Sequence, residues 1–365
     1  MKTLALHHQH ETLGATFQPC GEWAVPFHYG TPLSEYTAIH QQAGLADLSF
    51  RGKILITGDD RVTWLQNIIS NDILPLKSGQ GRYSTLMNHK GKILSYFRVF
   101  LQPDSIFLED VGEVGELTYQ TLRKFLLYGT KAKIQSGLES WGLLLVTGPK
   151  SPEIIQHALD VEVSSLQILD TVPFMLDDMQ GFIAYTEETG CQDYELFVPV
   201  EALPALWSYL IKTGKEKGLQ PVGRDALETS RIEAGFARLG PELNEKIVPP
   251  EAKLEGIAFS LSKGCYPGQE VVARMDTYGS VKRRMVGLVI ESEDHQLPEV
   301  GAKIFSGPRE VGWVTSSTHS PLVKKSIAFG FPLRDFTQPN TNLEIEIQGK
   351  RFPATVSTLP FTGRQ

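Results

Sequence analysis

The sequence predicts an α+β fold with a separate all-β domain at its C-terminal end. Two observations carry this reading. A strand-then-helix pattern occurs twice in the first half of the 365 residues, and helical periodicity stops at about Lys282, beyond which only short strand-like runs remain. The expected division is therefore two intertwined lobes over residues 1–282 and a small β-barrel or sandwich over residues 283–365. At roughly 150 residues per domain, such a chain buries sizeable cores without disulfide or metal staples.

Taken in order, Gly52 to Gly58 (GKILITG) reads as a strand, and Asp59-Asp60 opens a helix carrying Val62, Leu65 and Ile69 at helical spacing. Gly91 to Leu101 and Ser105 to Glu109 read as strands joined by the turn Gln102-Pro103-Asp104, and Glu113 to Leu127 as a helix. The run from Trp141, WGLLLVTGPKSPEIIQHAL, repeats the strand–turn–helix logic with Ile154, Ile155 and Ala158 on the helix, a weak internal repeat. Gly181 to Thr186 and Tyr194 to Val200 form a second hairpin-like pair. The helix after it places Leu203, Leu206, Trp207, Leu210 and Ile211 on one face, which reads as core. A further helix is expected from Arg224 to about Ala234, stopped by Gly235. Beyond Arg283, the runs Met285 to Ile290, Gly312 to Ser316, Ile327 to Phe331 and Leu343 to Ile347 are separated by Gly, Pro and Asn turns.

Composition narrows the function classes. Hydrophobic residues make up 41% and charged residues 21%, so a largely disordered chain is excluded. A net charge of −7 gives no general footprint for nucleic acid or anionic membrane. RNA contact through Lys282-Arg283-Arg284 and Lys324-Lys325 is a weaker reading, because short basic runs are usually solvated faces. No apolar stretch approaches the roughly 18 residues of a spanning helix, and the N-terminus lacks an apolar signal region. A cytoplasmic protein with no membrane partner is expected. His7, His8 and His10 read as a solvated, fraying terminus without a metal role.

Cys20, Cys191 and Cys265 are odd in number and far apart, so neither a disulfide framework nor a CxxC site is available. About four thiolates hold an iron-sulfur cluster, more than this chain has. The most specific stretch is Lys263-Gly264-Cys265-Tyr266-Pro267-Gly268-Gln269-Glu270. Its glycines and proline fix a tight backbone around one thiol, and Lys263 and Arg274 are the cations that would favour a thiolate. The alternative is a structural turn in which Cys265 fills an apolar hole and Gln269 and Glu270 satisfy backbone groups.

KGCYPGQE resembles the signature of the YgfZ-type folate-binding proteins, which support iron-sulfur protein maturation or repair within the wider glycine-cleavage T-protein superfamily. Gly30 to Ser49, with Glu35 and AGLADLS, is similar to the superfamily's N-terminal segment. Arg231-Ile-Glu-Ala-Gly235, with Gly240, Glu242-Leu243 and Pro249-Pro-Glu251, resembles its R-x-E-A-G region, and Trp313 to Pro321 with Leu359-Pro360-Phe361 its C-terminal barrel. The resemblance spans nearly the whole chain. It implies a T-protein-like three-lobed ring with a C-terminal β-barrel and tetrahydrofolate, or a derivative, at its centre.

Through the same resemblance, Glu195 in Asp193-Tyr194-Glu195-Leu196 matches the glutamate that reads the pterin ring. A carboxylate suits that task, since the ring edge presents an amino group and an adjacent N–H. Arg224 and Arg231 both compete for the folate-contacting arginine, because three extra residues intervene relative to the T-protein spacing. One departure bears on catalysis. T-proteins carry N-x-x-G-G-x-x-D-D, whereas this chain reads Asn88 to Tyr96 with Ser95 and Tyr96 at the aspartate positions, beside the expected folate site. The favoured expectation is a folate-binding accessory protein for iron-sulfur enzymes or assembly factors, with Cys265 as a transient thiol and no classical turnover. The alternative is a folate-dependent aminomethyltransferase.

Overall fold

The computed structural model describes residues 1–112, 115–278, 281–292 and 296–363. The first two lobes are each built on one sheet. The five-stranded sheet runs Gln80–Met87, Ile93–Leu101, Ser105–Asp110, Lys53–Thr57, Lys133–Ser136 in spatial order. The six-stranded sheet runs Thr171–Leu176, Met179–Thr186, Asp193–Pro199, Trp141–Thr147, Ala43–Asp47, Leu219–Pro221. The two halves of the sequence repeat occupy interior strands, one in each sheet.

Those strands read as unbroken apolar runs because both of their faces are covered. In Trp141–Thr147, Leu144 and Val146 pack with helices Ser151–Leu159 and Leu203–Gly214, while Leu143 and Leu145 point into a core shared between the lobes. In Lys53–Thr57, Ile54 and Ile56 join Trp64 and Leu65 of helix Arg61–Ile68, while Leu55 turns to the shared core. Aromatic rings knit that core across the two sheets. Phe182 and Phe197 stack at 4.6 Å, and Phe107 of the other sheet meets both edge-on at 5.2 Å.

Helix Arg224–Glu233 ends as the sequence reading expects. Gly235, at φ +78°, donates its N–H to Ile232 O, and Phe236 N–H reaches back to Arg231 O. Beyond it, six strands close a barrel in the order Val286–Ile290, Lys325–Gly330, Arg309–Ser320, Lys303–Ser306, Asn342–Ile347, Lys350–Ser357. Within it, the longest helical piece among the described residues is the turn Arg334–Phe336.

Two expectations are corrected. The helix expected over 113–127 is only Leu117–Arg123, because the backbone beyond it tightens into i→i+3 bonds from Lys124, Phe125 and Leu126; residues 113 and 114 lie outside the described residues. The N-terminus does not fray as a solvated histidine tract. His7–Thr12 is a helix, and His10 is fully buried against Trp207, with Nε2 3.0 Å from Asp47 Oδ2 and Nδ1 2.8 Å from the Tyr29 hydroxyl. A polar side chain with both nitrogens satisfied is compatible with a core. Among the described residues, no helix is long and apolar enough to cross a membrane.

Candidate functional site

Where the two lobes and helix Arg224–Glu233 meet, a cavity of about 50 Å³ opens, walled on its apolar side by Phe50, Leu145 and Leu227. Its polar side includes Arg51, Glu188 and Glu195, which form a cluster of charges with Arg98 and Glu109 outside the lining. Local structure explains the placement. Arg98 and Glu109 face each other in register on strands Ile93–Leu101 and Ser105–Asp110, Arg51 follows strand Ala43–Asp47, Glu188 lies in the turn between strands Met179–Thr186 and Asp193–Pro199, and Glu195 lies in the second of these.

Arg98 is fully buried, with guanidinium nitrogens 2.9 Å from Glu195, 2.8 Å from Glu109 and 2.5 Å from Glu188. Arg51 sits at the edge, 15% exposed at its side chain, 2.8 Å from Glu188 and 3.4 Å from Glu195. Burial of a guanidinium works against its charge, but three carboxylates around each hold both firmly protonated. The carboxylates separate. Burial pushes Glu195 up to about 8 against the pull of Arg98, whereas at Glu188 the two arginines outweigh burial and hold it down to about 2. Glu195 Oε2 is buried and finds no hydrogen-bond partner, although Oε1 is engaged by both arginines. A lone carboxylate oxygen inside a polar cluster is costly unless a ligand supplies the donor.

Residues 6–262 match the GCVT N-terminal domain family, and residues 283–362 match the glycine cleavage T-protein C-terminal barrel domain. The chain belongs to the glycine cleavage T-protein family. It is 30% identical to the aminomethyltransferase of a Geobacillus species, covering 100% of this chain and 99% of that one. The aminomethyltransferase of Corynebacterium aurimucosum is 31% identical, covering 98% and 97% respectively. The crystal structure of glycine cleavage system aminomethyltransferase T from Bartonella henselae superposes with a TM-score of 0.89 at 25% identity, over 99% of this chain and 98% of that one. Tetrahydrofolate is the cofactor of this family's aminomethyltransferases.

The donor set here fits a pterin edge: Glu195 Oε2 and Glu109 Oε2 are both buried acceptors without a hydrogen-bond partner, Glu195 is the one of the two that lines the cavity, and Arg224 stands half-buried on the cavity wall. Both competing arginines line the cavity, and Arg231 is held by structural partners. It is buried and pairs with Glu228 at 2.6 Å, Glu242 at 3.1 Å and the Ser316 hydroxyl at 3.0 Å.

Ser95 and Tyr96 are not among the residues that line the cavity. The Ser95 hydroxyl is buried 2.9 Å from Thr118 Oγ1, and the Tyr96 ring is buried in the shared core, stacked on Tyr83 at 5.6 Å. Successive strand residues point to opposite faces, so Ser95 points away while Tyr96 shares the face of Arg98, where burial and then the charge of Glu188 raise its pKa.

The KGCYPGQE loop holds itself by its flanks. Lys263 Nζ donates to the carbonyls of Gln66, Ile69 and Asn71 at the end of helix Arg61–Ile68, and burial lowers its pKa to about 8. Tyr266 OH donates to Ser260 O at 2.7 Å, and Gln269 Nε2 to Lys263 O at 3.2 Å. Gly268, at φ +81°, lies so close to the Asn88–Gly91 turn that a Cβ would meet Asn88 O at 2.7 Å. Gly264 and Cys265 are left exposed, and Cys265 does not line the cavity. The expected cations are not on its thiol: Lys263 is spent on backbone carbonyls, and Arg274 pairs with Glu270.

Sequence reasoning missed Arg51, Arg98, Glu109 and Glu188. An arginine inside the apolar strand ILSYFRVFL was the available signal, since a buried guanidinium requires carboxylate partners.

Proposed function

We propose that this protein binds tetrahydrofolate in the Glu195 cavity and performs folate-dependent one-carbon transfer of the aminomethyltransferase type. The observation that carries the reading is the unpartnered, buried Glu195 Oε2 in a chain that matches proteins named aminomethyltransferase from end to end. Bound there, the folate would supply the nitrogen that accepts the one-carbon unit. Glu195 accepts from the pterin amino group and N–H, Arg224 meets a folate carboxylate, and Phe50, Leu145 and Leu227 exclude water. A cavity of 50 Å³ seats a ring edge, so Arg51 at its rim has to give way for deeper entry. With no carboxylate at Ser95 or Tyr96, the acid beside Glu195 is Asp193, which lines the cavity, is raised by burial to about 7 and is held by the Thr147 and Thr189 hydroxyls and the Thr189 N–H.

The test is a single turnover with an aminomethyl-lipoyl donor and tetrahydrofolate, following ammonia and methylene-tetrahydrofolate. Both products should form, and Asp193→Asn should slow them by about a hundred-fold. Folate binding without either product would reject transfer and leave a second reading. In that reading the chain is a YgfZ-type accessory factor whose clients are iron-sulfur enzymes. The exposed thiol of Cys265 on its anchored loop favours it, as does the lack of a carboxylate at positions 95 and 96. Loss of iron-sulfur enzyme support in Cys265→Ser, with folate affinity unchanged, is its mark.

A further inference from the structure

Outside that cavity, the fold assembles a second set of reactive groups that the folate reading does not use. Cys191 is partly exposed on the turn between strands Met179–Thr186 and Asp193–Pro199, and its Sγ lies 3.6 Å from His40 Nδ1 on helix Pro32–Gln41. The other imidazole nitrogen, Nε2, is 3.0 Å from Ser230 Oγ. Ser230 already donates its hydroxyl proton to Ala226 O at 3.0 Å, so it meets His40 with a lone pair. Nε2 is then the protonated nitrogen, and Nδ1 is the acceptor aimed at the thiol.

Behind the imidazole stands a carboxylate. Glu233 is fully buried, with Oε2 4.0 Å from His40 Nε2, and it takes donors from Tyr36 OH at 2.6 Å, Leu322 N–H at 3.3 Å and the Ser320 hydroxyl. Tyr36 also lays its ring along the imidazole, with centroids 4.2 Å apart. Nucleophile, base, tautomer-setting hydroxyl and carboxylate are the parts that convert a thiol to a thiolate. Cys20 is buried, and the cations nearest Cys265 in sequence, Lys263 and Arg274, are engaged elsewhere.

We propose that Cys191 and His40 form a reactive thiol site that takes low-molecular-weight disulfides. His40 Nδ1 receives the thiol proton, and the Cys191 thiolate attacks one sulfur of the disulfide. A bond forms between Cys191 Sγ and that sulfur as the original S–S bond breaks, and the departing thiolate takes the proton back from His40. The sum is protein thiol plus disulfide giving mixed disulfide plus free thiol. The modification falls beside the cavity wall, since Cys191 N–H donates to Thr189 Oγ1 at 3.3 Å and Thr189 lines the cavity.

The experiment exposes the full chain to oxidised glutathione, and in a parallel arm to iodoacetamide, with per-cysteine rates read by peptide mass spectrometry. Cys191 should react about ten-fold faster than Cys265 in both arms. His40→Gln should bring Cys191 down to the rate of Cys265 without changing Cys265, and Ser230→Ala should slow Cys191 by a smaller factor. Should His40→Gln fail to fold, as judged by circular dichroism, Ser230→Ala decides alone. If His40 and Ser230 were only packing partners, their replacement would leave Cys191 as fast or faster. That result, or Cys265 outpacing Cys191 in the unaltered chain, would overturn the proposal.

Discussion

Three carboxylates, Glu109, Glu188 and Glu195, share two guanidinium groups, so one proton more or less decides the charge of the cluster. Burial raises both Glu109 and Glu195, and Glu195, whose pKa rises to about 8, is the one of the two that lines the cavity. The sign follows from linkage. A carboxyl whose pKa is raised on folding binds more protons folded than unfolded, so its contribution to stability falls as pH rises from about 4.5 through about 8. Glu188, held at about 2, contributes in the opposite sense and loses stability as pH falls below about 4.5. A pterin edge offers donors and so requires Glu195 ionised. Binding near neutral pH is therefore expected to release close to one proton, measured by calorimetry in buffers of different ionisation enthalpy, and Glu195→Gln should abolish the release. Binding with no proton release would contradict this assignment. Glu195 lines the cavity and was singled out in the sequence through the resemblance of Asp193-Tyr194-Glu195-Leu196 to the family motif. Its arginine partner was not, because Arg98 meets partners 11, 90 and 97 positions away along the chain.

The KGCYPGQE loop shows how a motif is legible as a unit while its residues are not. Its tight backbone was readable from two glycines and a proline, but only the fold separates their duties. Gly268 lies in the left-handed region against the Asn88–Gly91 turn, whereas a Cβ on Gly264 would meet nothing within 4 Å. Gly268→Ala is expected to cost about 1–3 kcal/mol in urea unfolding, and Gly264→Ala no more than about 0.5 kcal/mol. Equal effects would mean that the loop does not press on the turn as described. Lys263 misled for a related reason. Beside a cysteine in sequence it reads as a thiolate partner, but three helix-end carbonyls outbid one thiol for an ammonium.

At the scale of the whole molecule, helix Arg224–Glu233 joins the cavity to the barrel. Leu227 and Arg224 face the cavity. From the same helix, Arg231 bonds Ser316, Glu233 bonds Ser320, and Thr229 lies 2.7 Å from Thr318, all three on barrel strand Arg309–Ser320. The strand-rich barrel and the repeated strand–helix units were legible because periodicity is local. The convergence of two lobes on one charged cavity was not, since it depends on contacts between distant segments. That cavity is expected to take a reduced folate through Glu195. Its most direct test is titration of tetrahydrofolate into the full chain and into Glu195→Gln, with the fold of both checked by circular dichroism. The unaltered chain should bind, and the variant should bind more weakly by about 1.5–3 kcal/mol, the worth of hydrogen bonds to a charged group. No binding to the unaltered chain, or equal affinity in a folded variant, would contradict it.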